Sequence, residues 1–197
     1  MRRFAIIHGL TIFLLLLAAS WTDAATFDFS ATLSGAFEVP ANSSPGTGSA
    51  HVTFDNVAHM LHVQVTFSGL SSTTTASHIH CCGPQSTNLL VATTTPTFPG
   101  FPLAVTSGTY DQTFDTTLAS TYNPAFVTAH GGTTASAEAD LFAGMVAGLS
   151  YLNIHTMALP GGEIRGPLVT PEPGTLLLLG AGLAGLTQRL RRNRPAS

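Results

Sequence analysis

"LHVQVTF" (Leu61–Phe67) decides the fold class. Leu61, Val63, Val65 and Phe67 alternate with His62, Gln64 and Thr66. A period of two puts the apolar set on one face and the polar set on the other, which is the pattern of a half-buried β-strand. The same alternation occurs on either side of this stretch. In "FDFSATL" it groups Phe27, Phe29, Ala31 and Leu33, and in "AHVTF" it groups Ala50, Val52 and Phe54. Weaker strand patterns fit Leu89–Ala92, Leu103–Thr106, Ala135–Phe142 and Tyr151–Thr156, and Ile164–Leu168 ends the series. Ala135–Met145 also reads as a short helix; both readings stay open. Glycines mark turns between the runs, among them Gly46, Gly69, Gly100, Gly148 and Gly161. Seven or eight short strands predict an all-β, antiparallel Greek-key β-sandwich or barrel over residues 26–169, with helices confined to the two termini. A domain of this size buries a core without needing disulfides. Pro84–Pro102, rich in proline and threonine, reads as a long surface loop.

Charge narrows the function classes. The 197 residues include no lysine, and six of the seven arginines sit at the ends: Arg2, Arg3, Arg189, Arg191, Arg192 and Arg194. Within residues 26–169, Arg165 stands alone against eight acids, a balance of −7. No basic face is left to neutralise phosphates, so nucleic acid is excluded as a partner.

The two ends read as targeting elements. Arg2 and Arg3, an apolar run over Ile6–Ala19 and small residues up to Ala24 form a secretory signal peptide, residues 1–25, addressed to the secretion machinery. An uncleaved membrane anchor is the alternative. The run is shorter than the roughly 20 residues a span needs, which favours cleavage. At the other end, Pro171-Glu172-Pro173 precedes an apolar run over Leu176–Leu186, and an arginine cluster follows. By the positive-inside rule those arginines stay cytoplasmic, so the domain faces outward.

Few residues in the domain are suited to chemistry. In "SHIHCCGPQ" (Ser77–Gln85), an extended backbone projects His78 and His80 from one face, with Cα atoms roughly 6.5–7 Å apart. In "YLNIHT", Tyr151, Asn153 and His155 share a face. An H-x-H pair with a histidine from another strand makes a three-ligand set, and imidazole suits copper or zinc. The competing reading has these histidines hydrogen-bonded to loop carbonyls, closing the end of the sandwich. His130, before Gly131-Gly132, is a further candidate ligand.

Cys81 and Cys82 are adjacent, so their Cα atoms lie about 3.8 Å apart, below the usual disulfide range. In an oxidising compartment the choices are a readily reduced vicinal bridge, pairing between chains, soft metal ligands beside the histidines, or two half-buried thiols. Glu163 and Arg165 are two apart and read as a structural ion pair on one strand face. No nucleophile–base order, phosphate loop or close acid pair stands out, so no catalytic residue is assigned and the chain is not read as an enzyme.

Residues 171–194 carry all three parts of a known pattern and resemble the PEP-CTERM sorting signal, which defines a segment over residues 170–197. A simple tail anchor is the alternative. The resemblance implies inner-membrane anchoring until an exosortase removes the tail. It further implies delivery to the cell envelope or extracellular matrix, with exopolysaccharide or surface proteins as partners. The middle resembles the CHRD domain, residues 26–169. "ATLSGAFEVPANSSPGTGSAHVTF" matches its opening, "LHVQVTFSGLSSTTTASHIH" its strand and His-Ile-His, and "YLNIHTMALPGGEIRGPL" its close. Cys81-Cys82 depart from the family, where Gly-Pro follows His-Ile-His directly. The resemblance implies an immunoglobulin-like or related sandwich in a surface or matrix protein with a structural or binding role. A fainter likeness to copper-zinc superoxide dismutase implies His78, His80 and His155 as copper ligands and Arg165 as an anion-guiding base. The bridging histidine and the zinc ligands have no counterparts, so a working dismutase is not implied.

Overall fold

A computed structural model describes residues 26–170. The expected signal helix, the expected hydrophobic C-terminal helix and Pro171-Glu172-Pro173 lie outside the described residues. The domain contains β1 (Thr26–Ser34), β2 (Thr47–Asp55), β3 (Met60–Ser68), β4 (Thr74–Cys81), β5 (Leu90–Val91), β6 (Gly108–Asp115), α1 (Pro124–Ala129), α2 (Thr134–Val146), β7 (Ser150–Thr156) and β8 (Ile164–Pro167).

The eight strands form one antiparallel sheet in the order β5-β4-β7-β8-β1-β2-β3-β6, curled into a half-barrel. This is the antiparallel all-β architecture that the alternation predicts. β1, β2 and β3 make a meander, and β8 returns to lie beside β1, the place of the returning strand in a Greek key. The register pairs Phe29 with Val52 and Val52 with Val63, so the apolar positions of neighbouring strands face inward together. Phe29, Leu33, Val52, Phe54, Leu61, Val63 and Phe67 are buried. Each such side chain contributes roughly 1.5–3 kcal/mol by leaving water.

The segment 92–106 connects the two ends of the sheet. Its backbone bonds β4 through Ala92 N–H to Ile79 O, Phe98 N–H to Ser77 O and Ala104 N–H to Thr74 O. Its Phe98 ring stacks against Tyr110 and Phe114 of β6. The expected surface loop is therefore partly core, with Ala92, Phe98 and Phe101 buried. Leu103–Thr106 forms no strand; the strand here is β6, whose threonine and glutamine content hides its alternation.

Ala135–Phe142 is helical, as part of α2. Thr133 caps it in a reciprocal box with Ser136, and Ala137, Leu141 and Met145, spaced four apart, are buried. Phe142 meets Phe27 edge-on and Phe54 at a tilt. The alanine-rich composition favours helix, and a four-residue apolar spacing serves the core better than alternation. Pro124 at the start of α1 follows Asn123, whose side chain accepts from Ala125 N–H. Among the described residues no helix is long and apolar enough to cross a membrane.

Candidate metal centre

The half of the sheet made by β4, β7 and β8 is buried on both faces. One face is apolar, with Ile79, Leu152, Ile154 and Ile164. The opposite face is polar and lies beneath loops. The register pairs His78 with Asn153 and His80 with Tyr151, and Asn153 with Arg165. Strand alternation therefore gathers His78, His80, Tyr151, Asn153, His155 and Arg165 on one side of the sheet.

Three loop carbonyls fix the imidazoles. His78 donates Nε2–H to Pro96 O at 2.7 Å, His80 donates Nδ1–H to Leu89 O at 2.8 Å, and His155 donates Nδ1–H to Pro160 O at 2.9 Å. A carbonyl only accepts, so each contact sets the tautomer and leaves the other nitrogen as a lone pair. Those nitrogens are His78 Nδ1, His80 Nε2 and His155 Nε2. One nitrogen from each ring lies within 4.8 Å of the other two, and His78 Nδ1 is 3.4 Å from His155 Nε2. With both hydrogens committed to carbonyls, that close approach sets two acceptors against each other. His80 Nε2 is buried with no hydrogen-bond partner.

A proton does not resolve this arrangement. Burial pushes His78 and His80 down to about 4, against the Pro96 and Leu89 carbonyls, which act the other way. Burial also lowers His155, opposed by the Pro160 carbonyl. Three neutral imidazoles grouped in this way could hold a metal ion. Two nitrogens on a tetrahedral zinc, each about 2.0–2.1 Å from it, lie about 3.4 Å apart, the spacing His78 and His155 already have. Carbonyl partners on the far nitrogens are what metal-ligating histidines ordinarily carry. The carbonyl bonds expected of these histidines are therefore present, and they leave one nitrogen of each ring free beside the other two rings.

The surroundings keep the rings in place. His80 stacks on Tyr151, with centroids 4.8 Å apart, and the guanidinium of Arg165 lies 4.4 Å from the centre of the same Tyr151 ring. Tyr151 Oη accepts Leu89 N–H at 3.0 Å, so the residue whose carbonyl holds His80 is itself held by the neighbouring ring.

Glu163 and Arg165 do not pair, and this corrects the expected ion pair. β8 begins at Ile164, and Glu163 turns to Ser44, Ser71 N–H and Thr156. Burial acts to raise the Glu163 carboxyl, but these hydrogen bonds outweigh it and hold the group below its usual range. Arg165 reaches Glu38 at 3.9 Å and donates to Phe37 O, Gln85 O and Asn88 Oδ1. Glu38 Oε1 accepts Asn153 Nδ2–H at 2.7 Å. Burial pushes Glu38 up to about 7, with Arg165 pulling the other way. Nothing in the spacing of the chain links Glu38 to Arg165. Pro45-Gly46 and Pro160-Gly161 mark loops, but the positions of the loop carbonyls are set only by the fold.

Cys81 and Cys82 are bonded to each other. Cys81 alternates with His80 and faces the core, so the sulfurs are not ligands beside the histidines. His130 pairs with Asp140 at 2.8 Å and belongs to a different part of the surface.

A PEP-CTERM protein-sorting motif matches residues 169–192, which marks an exported protein anchored at the membrane and processed by an exosortase. No curated protein and no solved structure matches the chain. The CHRD domain family matches residues 29–168, a span that includes β2 to β8, all of β1 but its first three residues, and all three histidines, and the chain belongs to that family.

Proposed function

We propose that this exported protein carries a non-enzymatic CHRD domain that binds one copper or zinc ion through His78, His80 and His155, in a structural or binding role in the envelope or extracellular matrix. The observation that carries the reading is the convergence of three unprotonated ring nitrogens whose opposite nitrogens are all fixed by backbone carbonyls. When bound, the ion would tie β4 to β7 and both strands to the loops that hold the ligands. Binding favours the folded chain by mass action, because the unfolded chain does not preform the site. The sorting motif supports export, and an envelope or matrix location with exopolysaccharide or surface partners follows from that as part of the same reading.

Arg165 gives no support to a dismutase-like role. It is buried, and its guanidinium is engaged by Glu38, Tyr151 and backbone carbonyls rather than directed to solvent. The test is the metal content of the exported domain purified from the periplasm, by mass spectrometry, beside the His78→Ala/His80→Ala double variant. The expected result is close to one ion per chain, lost in a variant that keeps its β-sheet circular dichroism. Folded protein that retains neither ion after loading with copper or zinc and dialysis overturns the reading.

A further inference from the structure

On the core side of β4, away from the histidines, the Cys81–Cys82 bridge forms a second site. A disulfide stabilises a fold by closing a loop in the unfolded chain, and the effect grows with loop length. Joined neighbours close essentially no loop, so this bridge does not act as a staple. The fold nonetheless makes room for it. A Cβ on Gly144 of α2 would collide with Cys81 Sγ and meet Cys82 Sγ at 2.8 Å, so only a glycine here leaves room for the bridge. The two residues differ in exposure: Cys81 is buried, whereas Cys82 is half-buried and lines an open cleft of about 400 Å³ with His130, Asp140, Gly144 and Leu149. His130 donates Nδ1–H to Asp140 Oδ2 at 2.8 Å, and its Nε2 has no hydrogen-bond partner among the described residues. The cleft thus brings half-buried Cys82 and the His130 imidazole to one opening.

We infer that Cys81–Cys82 is a redox-active disulfide that oxidises an external dithiol entering this cleft. The thiolate of the dithiol attacks Cys82 Sγ and forms a mixed disulfide. The Cys81–Cys82 bond breaks, and Cys81 leaves as the thiolate. The second thiol of the partner then attacks its own sulfur in the mixed disulfide and releases Cys82. The dithiol becomes a disulfide and the two cysteines become thiols, gaining the two electrons and two protons the dithiol loses. The site is independent of the histidine cluster, because it lies on the other face of β4 and needs no metal.

The test uses the exported protein without denaturant. Millimolar dithiothreitol is added, thiols are trapped with iodoacetamide, and the labelled peptides are mapped by mass spectrometry. Two labels are expected, on Cys81 and Cys82, and none without reductant. Single variants then test the point of attack. Cys81→Ser, which leaves the Cys82 thiol, is expected to react with a thiol reagent at least tenfold faster than Cys82→Ser, which leaves the buried Cys81. Labelling that requires denaturant, labelling before reductant is added, or equal reactivity of the two single variants overturns the proposal.

Discussion

Lowering the pH from 7 to 5 separates this histidine cluster from three ordinary ones. A metal must displace any proton from each ligand. An imidazole of ordinary pKa, about 6.5, is roughly a quarter protonated at pH 7 and almost wholly protonated at pH 5. Each such ligand would weaken apparent affinity about 25-fold over that interval, and three would weaken it about 10⁴-fold. Burial changes that result here. His78 and His80, pushed down to about 4, carry a proton about a tenth of the time at pH 5, so each costs a factor near 1.1. His155 is also lowered by burial, so its share is smaller than the ordinary 25-fold. The expected fall in zinc or copper affinity is therefore under about 30-fold. Isothermal titration at the two pH values, or competition against a chelator calibrated at both, measures it. A fall near 10⁴-fold would refute the reasoning, because it would mean that the rings titrate as exposed histidines do.

Further outcomes follow from the same groups. In the metal-free protein the depressed imidazoles stabilise the fold above the ordinary pKa near 6.5, and this is lost as pH falls through 4; urea unfolding should show a loss of up to about 3 kcal/mol per histidine between pH 7 and 4. Glu38 acts with the opposite sign: its raised carboxyl stabilises below pH 4.5, and that stability is lost as pH rises through about 7. Glu38→Gln should thus gain about 3 kcal/mol on the native protein between pH 4.5 and pH 8, and equal differences at both pH values would contradict this. Gly144→Ala forces a methyl group into the bridged sulfurs and should cost about 1–3 kcal/mol, seen as a melting temperature lowered by several degrees. Arg165→Lys replaces a planar fork that bonds Phe37 O, Gln85 O and Asn88 with a single ammonium, so amide exchange over residues 85–89 should accelerate.

The two-residue alternation determined a great deal on its own. It located β1, β2, β3 and β7 and set which side chains of each face inward, because burying one face of a pleated strand leaves little freedom of register. It also placed His78 and His80 on one face, and His155 on one face with Asn153. Composition argued against nucleic acid, since the described domain carries a single arginine among eight acids.

The tertiary structure decided what depends on partners far apart in the chain. Ala135–Met145 is compatible with either period, and only a core that needed Ala137, Leu141 and Met145 four apart made it helix. The pairing of Arg165 with Glu38 in place of Glu163 depended on Gly35–Pro40 packing over β8, a contact that no spacing rule reports. The same holds for the histidines. The sequence supplied three imidazoles, but the β4–β7 register brought them together, and the carbonyls of Leu89, Pro96 and Pro160 set their tautomers. A ring nitrogen becomes a metal ligand or an ordinary donor according to the hydrogen bond its other nitrogen makes, and that bond exists only once the loops have folded over the sheet.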